Sequence, residues 1–161
     1  MDYRIGFGYD IHKFALKRKL MLGGVNIPFT RGLLGHSDAD VVLHALCDAL
    51  LGALGEGDIG RHFPPGDPAY RNIQSLTLLK HVARLLQKKH FAVRNADVMV
   101  ILEKPKISPF VAEMRKRIGA VLKADRKLIS IKATTHEGLG SIGAGKAAAA
   151  YAVALIVKTR S

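Results

Sequence analysis

Ser37-Asp38-Ala39-Asp40-Val41-Val42-Leu43-His44-Ala45-Leu46-Cys47-Asp48-Ala49-Leu50-Leu51-Gly52 is the stretch on which the reading of this chain turns. Ser37 and Asp40 have the spacing of a helix-start capping box, with aspartate in place of the usual glutamate. The helix they open is expected to run to Leu54, with Val42, Leu46, Leu50 and Leu54 along an apolar face. Upstream, Arg4-Ile5-Gly6-Phe7-Gly8-Tyr9-Asp10 alternates at the strand period, which places Ile5, Phe7 and Tyr9 on one face. A strand and a helix so close together predict a fold in which the two are mixed.

Further out, residues 20–28 read as two short strands around the Gly23-Gly24 turn. Residues 57–72 form a glycine- and proline-punctuated loop of a length that is often functional. A second amphipathic helix is expected over 73–90, ending on basic residues as the helix dipole favours. A strand over 96–103 follows, then a helix over 109–123 with proline near its first turn, and a strand over 128–135. Residues 137–145 are glycine-rich. Residues 146–158 stay open, because alanine favours helix while Tyr151, Val153, Ile156 and Val157 favour strand. No linker or internal repeat divides the chain, so residues 1–161 are expected to form one α+β or α/β domain.

The 161 residues suffice to bury a substantial core. The longest apolar-rich run, 147–157, is too short to cross a bilayer. The N-terminus carries neither a secretory nor a transit pattern, so a cytoplasmic location is expected. The single cysteine, Cys47, excludes an intrachain disulfide, and its apolar surroundings suggest a packed core thiol. The formal charge of +12 attracts anions, whether nucleic acid or phosphorylated substrates. Its clusters are scattered and no RNA-binding signature accompanies them, which favours solvated faces with a general anion bias.

Chemistry concentrates at Asp10, His12 and His44. On a strand, residues i and i+2 share a face, so Asp10 and His12 can point together. His44 sits on the expected helix and reaches them only by tertiary folding. Two imidazoles and one carboxylate suit zinc with one coordination position open, the ligand count of a catalytic site. The alternative is three unrelated polar residues at element ends. Asp40 and Asp48 lie four residues to either side of His44 and could orient its ring. His36 and Ser37 precede the helix, where backbone N–H groups and the dipole attract phosphate, although local pattern alone favours a plain helix cap at Ser37 and a surface residue at His36. Thr134-Thr135-His136-Glu137-Gly138-Leu139-Gly140 follows a strand and could hold a diphosphate, with a carboxylate for Mg2+. Lys104-Pro105-Lys106 offers another phosphate contact. On local pattern alone, ordinary strand-to-loop turn chemistry is the favoured reading of these two segments.

Taken together, the motifs resemble the 2-C-methyl-D-erythritol 2,4-cyclodiphosphate synthase family of the non-mevalonate isoprenoid pathway. The matching pieces are Gly8-Tyr9-Asp10-Ile11-His12, the run from Gly32 through Gly52, Gly57-Asp58-Ile59-Gly60, Phe63-Pro64, Pro105-Lys106 and Lys132 through Gly140. The resemblance implies an α+β fold in a single small domain, with a mixed β-sheet and helices packed on one face. It implies a homotrimer with active sites between subunits, and partners limited to a small cytidine diphosphate substrate, with no nucleic acid and no membrane. The activity it implies is that of a phosphorus-oxygen lyase. The 2-phosphate of 4-diphosphocytidyl-2-C-methyl-D-erythritol 2-phosphate attacks the β-phosphorus, releasing CMP and closing the cyclic diphosphate.

By the same resemblance, Asp10, His12 and His44 would bind Zn2+, and Glu137 would hold a Mg2+ or Mn2+ bridging the substrate phosphates. His36, Asp58 and Thr135 would take part in catalysis. Asp10, His12, His36 and Ser37 would contact the phosphates, Asp58 and Gly60 the erythritol. Pro105, Lys106, Ala133, Thr134, Thr135 and Glu137 would form the cytidine and phosphate pocket from a neighbouring subunit. Where the family usually carries an aspartate after Phe-Pro, this chain has Pro65, leaving Asp67 as the nearer acid. In the glycine-rich segment, Ala144 and Lys146 replace an arginine and a glutamate that in the family gather near the trimer axis. That arginine can hold an isoprenoid diphosphate there, so such a site is expected to be weakened. Two rival classes remain distinguishable. A zinc phosphoesterase using water would give linear products, and a nucleic-acid-binding module would be indifferent to Asp10→Ala.

Overall fold

In the computed structural model, which describes residues 2–64, 66–70 and 72–159, the N-terminal alternation becomes the long strand β1 (Tyr3–Ala15). The hairpin β2 (Leu20–Leu22) and β3 (Val25–Ile27) follows, turning through Gly23 and Gly24 at φ of 57° and 77°. Positive φ at both turn positions is the hairpin geometry that glycine adopts without strain. The chain continues through β4 (Gly32–Leu33), α1 (Val41–Leu54), α2 (Ile59–His62), α3 (Ser75–Lys88) and β5 (Phe91–Ile101). It closes with α4 (Val111–Leu122), β6 (Ile129–Thr134), α5 (Gly140–Gly143) and β7 (Ala147–Lys158).

The main sheet runs in the order β4-β1-β7-β5-β6, with β5 and β6 parallel and the other pairs antiparallel. It is therefore mixed, as expected. The segment left open is the central strand β7, paired with β1 on one side and β5 on the other. Its alanines serve tertiary packing: Ala148, Ala150, Ala152 and Ala154 are all but fully buried on the face that meets α1. On β1 the matching positions are glycines. A Cβ on Gly6 would lie 1.8 Å from the Ala49 carbonyl oxygen, and one on Gly8 would lie 1.9 Å from that of Ala45. Only a strand without side chains lets α1 approach this closely.

Helix α1 is buried nearly all round, not along one face, because α3 packs on its far side and the β2–β3 hairpin lies over its start. Cys47 is fully buried in it. The opposite face of the sheet carries Ile5, Phe7, Tyr9, Ile11, Tyr151 and Val153, each 40% exposed or more.

The start of α1 corrects the capping-box reading. Asp40 is the cap, and its carboxylate accepts from the N–H groups of Val42 and Leu43 at 3.1 Å each. Ala39 at φ of 55° turns the backbone away from the helix, so Ser37 cannot join it. The other expected elements form with shifted ends. The second helix starts at Ser75, and β5 begins at Phe91, directly after His90 at φ of 60°.

Candidate functional site

Strand β1 presents Asp10 and His12 on the face that meets α1, and α1 brings His44 to them. The Asp10 Oδ2 lies 2.9 Å from His44 Nδ1 and 3.1 Å from His12 Nε2. The two ring nitrogens are 3.3 Å apart. Among the described residues this is the one group of three such ligands gathered closely enough to hold a metal ion. Donors at ~2.0–2.2 Å from a tetrahedral zinc stand roughly 3.3–3.6 Å from one another, so the triangle needs only slight expansion. Two nitrogens and one oxygen are also the donor set that suits zinc over magnesium or calcium.

The electrostatics follow from the contacts. Burial works against charge on Asp10, but the hydrogen bonds and charge of His12 and His44 prevail and hold its carboxyl well below the usual carboxylate range. Burial pulls the His44 pKa down, and the Asp10 carboxylate more than compensates, so the net shift is upward. An ionised Asp10 beneath two imidazoles is ready for a cation.

The three ligands line a cavity of about 220 Å³ together with His36, Ser37 and Gly60. Its apolar wall is built from Ile59, Phe63, Ile73 and Leu78. Asp58 stands at its edge as the cap of α2, its carboxylate accepting from the Arg61 N–H at 3.0 Å. Asp67 lies exposed in the loop beyond Pro64, and the departure noted at Pro65 falls outside the described residues.

A second, larger cavity of about 930 Å³ gathers Pro105, Lys106, Ala133, Thr134 and Thr135 beside Leu102 and Ile131. Glu137 is exposed next to it at φ of 50°, its carboxylate accepting from the Thr135 hydroxyl at 2.6 Å. The two cavities share no lining residue. Lys146 and Ala144 follow α5 and are exposed.

Two readings of the surroundings are corrected. Neither Asp40 nor Asp48 orients the His44 ring. The Asp40 carboxylate is spent on four backbone N–H groups, those of Val42 and Leu43 and those of Gly23 and Gly24 at 2.9 and 2.7 Å. Asp48 accepts from the Ile59 N–H at 2.8 Å and so ties α2 to α1. At the helix start Asp40 already occupies the N–H groups of Val42 and Leu43, so those two are not offered to a phosphate. What the His44 Nε2 meets instead is Ser75 Oγ at 2.9 Å and Ser37 Oγ at 3.1 Å. Ser75 stands 31 residues from His44 in the chain, and no local pattern announces it.

A model of the YgbB family matches residues 3–157 of the chain. Among known proteins, the 2-C-methyl-D-erythritol 2,4-cyclodiphosphate synthase of Symbiobacterium thermophilum is 58% identical over 152 residues, 94% of this chain and 97% of that one. The synthase of Geotalea uraniireducens is 55% identical over 153 residues, covering 95% and 98% of the two chains. Among solved structures, the Plasmodium falciparum IspF CDP complex superposes with a TM-score of 0.87 at 40% identity, covering 98% of this chain and 97% of that one. The bifunctional IspDF of Campylobacter jejuni gives a TM-score of 0.94 at 38% identity. There 99% of this chain matches 43% of a longer protein.

Proposed function

From the premise that the chain belongs to the YgbB family, we propose a zinc-dependent reaction centre for the cyclisation it performs. That reaction converts 4-diphosphocytidyl-2-C-methyl-D-erythritol 2-phosphate into 2-C-methyl-D-erythritol 2,4-cyclodiphosphate and CMP. An oxygen of the 2-phosphate forms a bond to the β-phosphorus, and the bond from that phosphorus to the CMP oxygen breaks, its electron pair leaving with CMP. Nucleophile and electrophile belong to one molecule, so catalysis is a matter of folding the substrate and balancing its charge. No side chain need act as nucleophile.

The observation that carries the proposal is the convergence of Asp10, His12 and His44 at the wall of a cavity that also holds His36, Ser37 and Gly60. Asp10, His12 and His44 would hold zinc, which would supply Lewis-acid neutralisation of phosphate charge, and Glu137 would hold Mg2+ or Mn2+ to the same end. His36 and Ser37 hold the 2-phosphate end. Asp58 and Gly60 take the erythritol hydroxyls at the start of α2. The apolar wall of Ile59, Phe63, Ile73 and Leu78 excludes water from the attacked phosphorus.

The larger cavity is the cytidine pocket in this account, with Pro105, Lys106, Ala133 and Thr134 against the nucleotide and Thr135 against the phosphates. A relative solved with CDP supports a nucleotide ligand of this class. That the two cavities of one chain share no lining residue supports a substrate held between two chains, the reaction centre from one and the cytidine pocket from its neighbour. The exposed apolar sheet face from Ile5 to Ile11, with Tyr151 and Val153, supports assembly as a homotrimer. Whole-chain folding as one catalytic domain and a cytoplasmic location complete the reading. Among the described residues, no helix is long and apolar enough to cross a membrane.

The test is CMP release from the diphosphocytidyl substrate after chelator treatment, followed by stepwise return of zinc and magnesium. The proposal expects activity to vanish with zinc and return with it, and to be absent in Asp10→Ala under all additions. Full turnover by the zinc-free protein would overturn it.

A further inference from the structure

We infer that Asp38 and Ser75 act as a positioning pair that fixes the tautomer of His44, so that Nδ1 faces the metal with a free lone pair. The inference rests on the metal reading above and concerns residues outside the ligand set. A serine hydroxyl has one proton to give. The Ser75 hydroxyl gives it to Asp38 Oδ1 in a short hydrogen bond, while Asp38 Oδ2 accepts the Ser75 backbone N–H at 3.0 Å. Ser75 Oγ therefore turns a lone pair towards His44 Nε2, 2.9 Å away. An unprotonated Nε2 would set two lone pairs against each other.

Nε2 thus carries a proton, while Nδ1, 2.9 Å from Asp10 Oδ2 and 3.3 Å from His12 Nε2, donates to Asp10 when no metal is present and turns its lone pair to a cation that enters between them. Ser37 Oγ, 3.1 Å from the same Nε2, accepts the Ala39 N–H. The group is closed to solvent: Ser75 is 0%, His44 6% and Ser37 8% exposed. Water is thus poorly placed to take over the role. A metal-bound imidazole is ordinarily held in this way through its second nitrogen, and loss of the partner costs about 10- to 100-fold in metal affinity. Asp38 is itself fixed to the start of α3, because its own N–H donates to the Ile73 carbonyl at 3.1 Å. The register of α3 is thereby tied to the metal site.

The substitution Asp38→Asn gives a signature that a merely structural role would not. The amide oxygen must stay opposite the Ser75 N–H, which directs the amide nitrogen at Ser75 Oγ. The Ser75 proton is then released towards Nε2, and the tautomer reverses. The experiment records two-bond proton–nitrogen spectra of histidine-labelled protein at neutral pH, metal-free and loaded with zinc. Chelator competition gives the zinc affinity of wild type, Ser75→Ala and Asp38→Asn.

The pair predicts a protonated Nε2 in the wild type in both states, and a bare Nε2 with the proton on Nδ1 alone in metal-free Asp38→Asn. It also predicts zinc bound about 10- to 100-fold more weakly by both variants. A bare Nε2 in the metal-free wild type, or folded variants that bind zinc within about twofold of wild type, would overturn it. If Ser75→Ala does not fold, the wild-type and Asp38→Asn spectra decide. A wild type that binds no zinc would sink the metal reading, while its metal-free spectrum would still judge the pair.

Discussion

Replacing Gly8 by alanine tests the coupling between the packing of α1 on β1 and the metal site. The added Cβ would lie 1.9 Å from the Ala45 carbonyl oxygen, 2.7 Å from the Ala49 nitrogen and 2.9 Å from the Ala45 carbonyl carbon. Ordinary contact begins near 3.4 Å, so about 1.5 Å must be found. All three neighbours are backbone atoms of α1, and no rotamer change can supply it. Overpacking costs roughly 1–3 kcal/mol, and a clash with rigid backbone belongs at the upper end, about 3 kcal/mol. The same displacement carries His44 away from Asp10, which sits two residues beyond Gly8 on the same face. Metal sites tolerate only about 0.2 Å in ligand distance, so zinc affinity should fall by at least about tenfold. Urea unfolding of the metal-free variant reads the first effect and chelator competition the second. A variant with wild-type stability and wild-type zinc affinity would refute the reasoning.

Four further outcomes are expected. Asp10 raises the His44 pKa, so protons compete with zinc to higher pH than at an isolated imidazole. Apparent zinc affinity should then rise about tenfold per pH unit below that pKa and level off above it. The sign for stability is the reverse: the ion pair's contribution to the metal-free protein is complete below the unfolded histidine value of about 6.5 and is lost as pH rises through the higher folded value. Thermal unfolding of metal-free protein across neutral pH should therefore show a midpoint that falls with pH, and a rising midpoint would contradict this. Phe7→Asp places a charge on the apolar sheet face beside Tyr151, whose ring centroid is 6.0 Å from that of Phe7. Sedimentation should find it as a monomer, while a trimer of undiminished stability would count against that interface. Burial pushes the Cys47 thiol well up, so a thiol reagent should leave the native protein unlabelled and react only as it unfolds.

Much of the fold was legible where local periodicity and packing agree. Asp10 and His12 share a face because strand period two is geometric, and His44 could be placed on a helix from the apolar spacing around it. The contact among the three needed the fold, whereas the resemblance in motif order was legible in the sequence itself. Elements whose residues were chosen for distant reasons misled. The alanines of β7 look helical in isolation, yet they are small because α1 lies against them. The start of α1 was misread because Ala39 adopts a positive φ that no spacing rule reveals. Asp40 looked like a partner for His44 on helical geometry alone. Its carboxylate was already claimed by a hairpin turn some sixteen residues upstream. Ser75 was invisible for the same reason, since its significance lies wholly in where α3 begins relative to Asp38 and His44.

The most direct test of intramolecular cyclisation is turnover in water enriched in oxygen-18, followed by phosphorus NMR of the products. The account predicts a cyclic diphosphate and CMP, neither carrying solvent oxygen on phosphorus, because the 2-phosphate supplies the attacking atom. A linear product with oxygen-18 on its phosphorus would contradict it and make the centre a hydrolase.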